Sequence, residues 1–190
     1  MRTTLLAVAA LTLFACGGPG SFSGTVTSIP LAVKSSVFLQ QRDSSGKATT
    51  AVIALTDVDA PCDELKANRM PKNGTIVTFT LVNLDSNHAQ IAADVGDYTV
   101  TDNVVNFLTL TGDVGLSTFE KYDTNCTNTI QSKNADAKSG LIKVTGFKAE
   151  TGGSASGTFD VTYGDQADKV TGSFDAPFCD AQITNSPSCE

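Results

Sequence analysis

The sequence predicts an all-β protein, an antiparallel sandwich or flattened barrel of about eight to ten strands with one short helix. Three observations lead there. Nearly every patterned segment alternates apolar and polar residues with period two, which sends one set of side chains to each face of a strand. Turn signals separate these segments: Ser44-Ser45-Gly46, Lys72-Asn73-Gly74, Gly112-Asp113 and Gly152-Gly153. Helical signals gather in one stretch alone, residues 61–68, where a proline opens the first turn and Asp63 and Glu64 lie near the positive end of the helix dipole.

In chain order, the first element is a leader. Arg2 precedes an apolar stretch, residues 5–14, that is too short for a bilayer core needing about 20 apolar residues. It reads as a secretory signal. The stretch ends Leu13-Phe14-Ala15-Cys16, which resembles the lipobox of bacterial lipoproteins, although Phe14 is bulkier than the usual occupant. The resemblance implies that residues 1–15 are removed and that Cys16 carries the lipid, palmitate among its acyl chains. By analogy with enteric bacteria, Gly17, standing where an Asp would retain the protein in the inner membrane, implies the outer membrane. Residues 16–21 then form the lipidated cysteine and its tether, which reaches roughly 20 Å at about 3.5 Å per residue. Residues 22–190 are expected to form a single β domain.

The strands follow at 22–28, 33–41, 50–57, 75–84, 97–100, 103–110, 115–124, 141–150, 154–163 and 169–178, with residues 125–139, rich in Asn, Thr, Ser and Lys, expected as a loop. The C-terminal third permits a register. Apolar residues occupy odd positions in 154–163 (Ala155, Phe159, Val161, Tyr163) and even positions in 169–178 (Val170, Phe174, Ala176). They share a face only if paired numbers sum to an odd value, because a slip of one would bury the polar set. A turn at 165–168 points to the sum 333, which sets Phe159 opposite Phe174 and Val161 opposite Gly172. With the preceding strand, a three-stranded meander results. The same stretch holds an internal echo, Ser156-Gly157-Thr158-Phe159-Asp160 against Thr171-Gly172-Ser173-Phe174-Asp175, with Cys179 shortly after. This ending resembles that of small β-rich envelope lipoproteins of the myxobacterial type, a resemblance that implies a place in the envelope and transfers no activity.

Charge and cysteine content narrow the partners. The chain carries 13 Lys+Arg against 20 Asp+Glu, a net charge of −7, and loss of Arg2 with the leader makes it more acidic still. Without a basic run it has no electrostatic footprint for nucleic acid, and docking on anionic lipid by charge is disfavoured. Of five cysteines, Cys16 is assigned to lipid, leaving Cys62, Cys126, Cys179 and Cys189. In an oxidising compartment these imply two disulfides, with three connectivities open. The expected one is a local clip, Cys179–Cys189, with a long-range staple, Cys62–Cys126.

Candidate chemistry is sparse. On the sum-333 register Asp175 lies diagonal to Asp160 at about 7–8 Å, which overlaps the roughly 6.5–9.5 Å between the carboxylates of inverting glycosidases. The chain has no tryptophan to stack on a sugar, and acids on a polar sheet face ordinarily keep it soluble. Asp57, Asp59, Asp63 and Glu64 are oxygen-rich enough to be weak calcium candidates, but they lack the order of a calcium loop, and no metal site is expected. Asp94 and Asp97 beside Gly96 are weaker still. His88, within Asp85-Ser86-Asn87-His88, reads as a surface loop residue, since no nucleophile elbow accompanies it. The expected function is therefore non-enzymatic, with no cofactor: a binding or structural role in the cell envelope. A carrier holding a small apolar ligand inside a β-barrel is the alternative, and an envelope-sugar hydrolase the second.

Overall fold

The computed structural model describes residues 18–102, 109–181 and 188–189. The elements in order are β1 (Gly20–Ser23), β2 (Ser35–Arg42), β3 (Ala48–Thr56), α1 (Pro61–Lys66), β4 (Arg69–Met70), β5 (Thr75–Leu84), β6 (Gln90–Ile91), β7 (Gly96–Thr101), β8 (Gly112–Lys121), α2 (Ser132–Ala135), β9 (Ala137–Phe147), β10 (Ser154–Tyr163), β11 (Asp168–Pro177) and β12 (Ser188–Cys189). One large sheet runs β1-β11-β10-β9-β7-β8-β5-β3-β2, with β6 added beside β5, and a separate two-stranded sheet joins β12 to β4. The fold is all-β, as the periodicity predicts. The large sheet curls into a nearly closed barrel. Its ends meet where Phe38 of β2 bridges Phe178, the Cys179 N–H donates to the Phe38 carbonyl at 2.7 Å, and the Ser36 hydroxyl donates to the Asp175 carbonyl at 2.9 Å.

Pairing directions assign every turn to one of two rims. The upper rim carries residues 43–47 between β2 and β3, 85–89 after β5, 92–95 before β7, and 148–153 between β9 and β10. The lower rim carries 164–167 between β10 and β11. Three turns repeat one design. Asp43, Asp85 and Asp123 each accept, through one carboxylate oxygen, the backbone N–H groups two and four residues on, at 2.8–3.0 Å. The left-handed position of each turn falls to Gly46, His88 or Cys126.

Strands 75–84 and 154–163 fall where the alternation places them, and most others differ by a few residues at their ends. The larger differences have local causes. The first strand starts at Gly20, inside the expected tether, and ends at Ser23 because Thr27 and Ser28 turn with positive φ (49° and 66°), with the Thr27 N–H held by Asp168 at 2.7 Å. The expected loop 125–139 contains α2 and the start of β9, so the described residues hold two short helices rather than one. β7 runs parallel to β8 in a sheet expected to be antiparallel throughout. Of the expected strand 103–110, residues 103–108 lie outside the described residues.

The meander β9-β10-β11 is present, but the paired numbers of β10 and β11 sum to 331, not 333. Parity is preserved, so the buried face is the expected one. Each phenylalanine lies opposite a glycine instead of opposite its fellow: Phe159 against Gly172, and Phe174 against Gly157. A Cβ on Gly172 would come within 2.5 Å of the Phe159 ring, and one on Gly157 within 2.6 Å of the Phe174 ring. Rings folded over glycines fill the barrel tightly, whereas the sum-333 register would set Val161 opposite Gly172 and Ala176 opposite Gly157, with no ring over either glycine. The turn fits this register, with the left-handed Gly164 and Ala167 bounding it.

Aromatic side chains fill the barrel. Phe79 packs on Phe159 with ring centroids 4.7 Å apart and on Phe174 at 6.2 Å, Phe22 bridges Phe119 and Phe159, and Phe38 lies against Phe147 and Phe178. The buried phenol of Tyr163 bonds to Ser117, whose hydroxyl passes a hydrogen bond on to the Thr78 carbonyl at 2.9 Å. That chain satisfies the two deeply placed hydroxyls, which would otherwise cost about 1–3 kcal/mol if left unpaired.

The disulfides join Cys62 to Cys179 and Cys126 to Cys189, correcting both expected pairs. Strand pairing overrides closeness in sequence. Cys179 follows β11 directly and is fixed beside β2, next to α1. Cys189 continues past it to β12, where Ser188 and Cys189 lie in register with Arg69 and Met70 of β4, near the 123–127 turn.

Candidate functional site

β2 is the strand that departs from simple alternation. Its run Val37-Phe38-Leu39 is buried on both faces. Phe38 points into the barrel, whereas Val37 and Leu39 cover its outer wall and pack with Cys179 and Ala181. An uninterrupted apolar run is the sequence signature of a strand covered on both sides. What covers it is α1, whose Cys62 and Leu65 pack against the same outer cluster.

Between α1 and the wall lies a groove of about 160 Å3, floored by Val37, Leu39, Val52, Ala54 and Ile76 and flanked by Val58, Leu65, Pro71 and Tyr122. Its polar edge is Glu64, Arg69 and Glu120. Glu64 takes a two-pronged hydrogen-bonded ion pair from Arg69, at 2.9 and 3.0 Å, which fastens α1 to β4. Burial, followed by the neighbouring Glu120 carboxylate, pushes the Tyr122 phenol well above its ordinary range. The volume matches apolar cavities that admit a benzene-sized molecule, roughly 150 Å3. The groove can therefore seat a ring or a short alkyl group. A second hollow of about 130 Å3 lies by β8 and the start of β9, edged by polar Thr80, Thr101, Asp102, Thr118 and Asp136.

The weak calcium candidates are near one another in sequence and dispersed in role. Asp57 accepts the Thr75 N–H at 2.7 Å, Glu64 is engaged by Arg69, and Asp59 and Asp63 are exposed. Asp94 accepts the Val95 N–H at 2.7 Å. Among the described residues no three His, Cys, Asp or Glu side chains converge as a metal site would require. His88 is exposed on the upper rim with Nδ1 2.8 Å from the Leu110 carbonyl.

The acid pair drawn from the sum-333 register is not formed. Asp160 lies opposite Thr171 and Asp175 opposite Ser156, which separates the two by four positions along the sheet, about 13 Å at roughly 3.3 Å per residue. Asp160 instead receives Lys169 at 3.1 Å. Cys16 lies outside the described residues. The sequence reading missed the groove, although the Val-Phe-Leu run signalled it. No protein family matches the chain, and neither a curated protein nor a solved structure gives a significant match.

Proposed function

We infer that the chain is an exported, lipid-anchored protein of the cell envelope, held at the outer membrane through Cys16, with a non-enzymatic binding or structural role. The observation that carries this reading is the cysteine pairing. Cys62, Cys126, Cys179 and Cys189 are all joined in disulfides, as suits an oxidising compartment. The fifth cysteine is the one at the lipobox position. A barrel packed with phenylalanine and stapled twice is a rigid scaffold, and its outer groove is the surface for an apolar group. A carrier role remains the second reading. The filled barrel interior counts against the seat expected for its ligand, and what supports the reading is the apolar groove outside the barrel.

The test is metabolic labelling of the full chain with an alkyne-bearing palmitate in a bacterial host, followed by fractionation. Wild type is expected to take up label and to sediment with outer membranes, and Cys16→Ser to lose both properties. Equal labelling of the two chains, or none in wild type, would sink the lipid anchor.

A further inference from the structure

The structure limits how an anchored barrel can stand on its membrane. β1 enters from the upper rim, and its pairing with β11 begins at Gly20 opposite Phe174. One residue earlier, the Pro19 carbonyl already accepts the Asp175 N–H at 3.3 Å. From Pro19 back to Cys16 the chain extends at most about 10 Å, three residues at roughly 3.5 Å each. β11 continues two residues beyond Asp175, about 7 Å, before it ends at the upper rim. In the other direction it runs seven residues back to Asp168, about 23 Å. A lipid on Cys16 reaches the upper rim and falls well short of the lower one.

The upper rim also carries an apolar contact. Val95 is 54% exposed, one of only two large apolar side chains so exposed among the described residues. Its loop is fixed: the Asp94 N–H donates to the Tyr98 hydroxyl at 2.9 Å, and that hydroxyl donates to the Asp94 carbonyl at 2.8 Å. On the same rim Asp43, Asp85, Asp94, Asp97, Asp113 and Glu150 outnumber Arg42, Lys47 and Lys148, so charge favours a neutral headgroup over an anionic one.

We propose that the barrel stands upright on the membrane with its upper rim against zwitterionic phospholipid and Val95 seated at the lipid surface. The groove beneath α1 is then carried on the side of the barrel, and the 164–167 turn faces away. This rests on the lipid-anchor reading above.

The chain has no tryptophan, so one introduced tryptophan reports its own depth. Lipidated protein carrying Val95→Trp, Ser44→Trp, Leu141→Trp or Gln166→Trp would be reconstituted in phosphatidylcholine vesicles containing brominated phosphatidylcholine. Loss of emission with a blue shift is expected for Val95→Trp, weaker loss for Ser44→Trp at the same rim, and none for Leu141→Trp on the wall or Gln166→Trp at the far rim. Quenching of Leu141→Trp or Gln166→Trp as strong as that of Val95→Trp would overturn the orientation, and so would no quenching at any position. Flotation separates the two readings. If the lipidated protein fails to float with vesicles, or Cys16→Ser floats equally well, the anchor fails and the orientation with it. If only wild type floats and quenching is flat, the orientation alone fails.

Discussion

Gly172 and Gly157 show how much one absent methyl group decides. A side chain at Gly172 would meet both the Phe159 ring and the Ser21 carbonyl, so neither the core nor the β1 seam has room to give. Overpacking of this kind costs about 1–3 kcal/mol. Gly172→Ala is expected to lower the urea midpoint accordingly, and an unchanged midpoint would mean that the Phe159–Gly172 contact has room for a methyl group. Asp113 makes a second test at this scale. Partial burial, then the charge of Asp97, holds its carboxyl above the ordinary carboxylate range. A group raised in the folded state supports folding below its unfolded value and loses that support as pH rises through the folded value. At neutral pH ionised Asp113 therefore weighs against the fold. Asp113→Asn should raise the melting temperature at pH 7, with the gain fading in acid; melts of both proteins at pH 7 and pH 3 check it, and a gain that grows in acid would refute it. Asp43 and Asp85 have the opposite sign. Hydrogen bonds from Ser45 and from the Lys47 N–H lower the first, and those from the Ala89 and Asn87 N–H groups lower the second, so their support is lost as pH falls. Alternation along β10 and β11 revealed which residues face inward, because face depends only on parity. It could not distinguish sums of 331 and 333, which share a parity and differ only in how rings meet glycines.

Among the elements, α1 depends most on its attachments. It has six residues, none fully buried, and a left-handed Ala60 at its N-cap without a side-chain cap. A helix so short is unstable alone. Cys62–Cys179 and the Glu64–Arg69 pair hold it on the wall. The disulfide spans 117 residues, and removing a native disulfide commonly costs about 2–5 kcal/mol. Cys62→Ser with Cys179→Ser is expected to lower stability by that order and to free α1, so that amides 62–66 exchange rapidly while those of β5 stay protected. Protection equal to wild type at α1 would mean that the ion pair and apolar contacts suffice. Proline and acids in the first turn made α1 legible in the sequence. Its position was not, because nothing local tells a two-turn helix which wall it will cover.

For the whole molecule, barrel closure fixes one set of relations at once: which cysteines meet, which turns share a rim, and where the N-terminus leaves. The rims follow from strand directions, and the proposed upright stance rests on the rims, the Pro19–Asp175 bond and the proposed lipid on Cys16. The sequence by itself determined the all-β class, most strand positions and the buried faces of β10 and β11. These depend on period-two alternation and local turn chemistry, which act within a few residues. The tertiary structure alone decided the disulfide partners, the parallel β7–β8 pair, the separation of Asp160 from Asp175 and the groove under α1. Each of these depends on which distant strands become neighbours, a choice made by the packing of phenylalanines over glycines and by the closing of β2 against the end of β11.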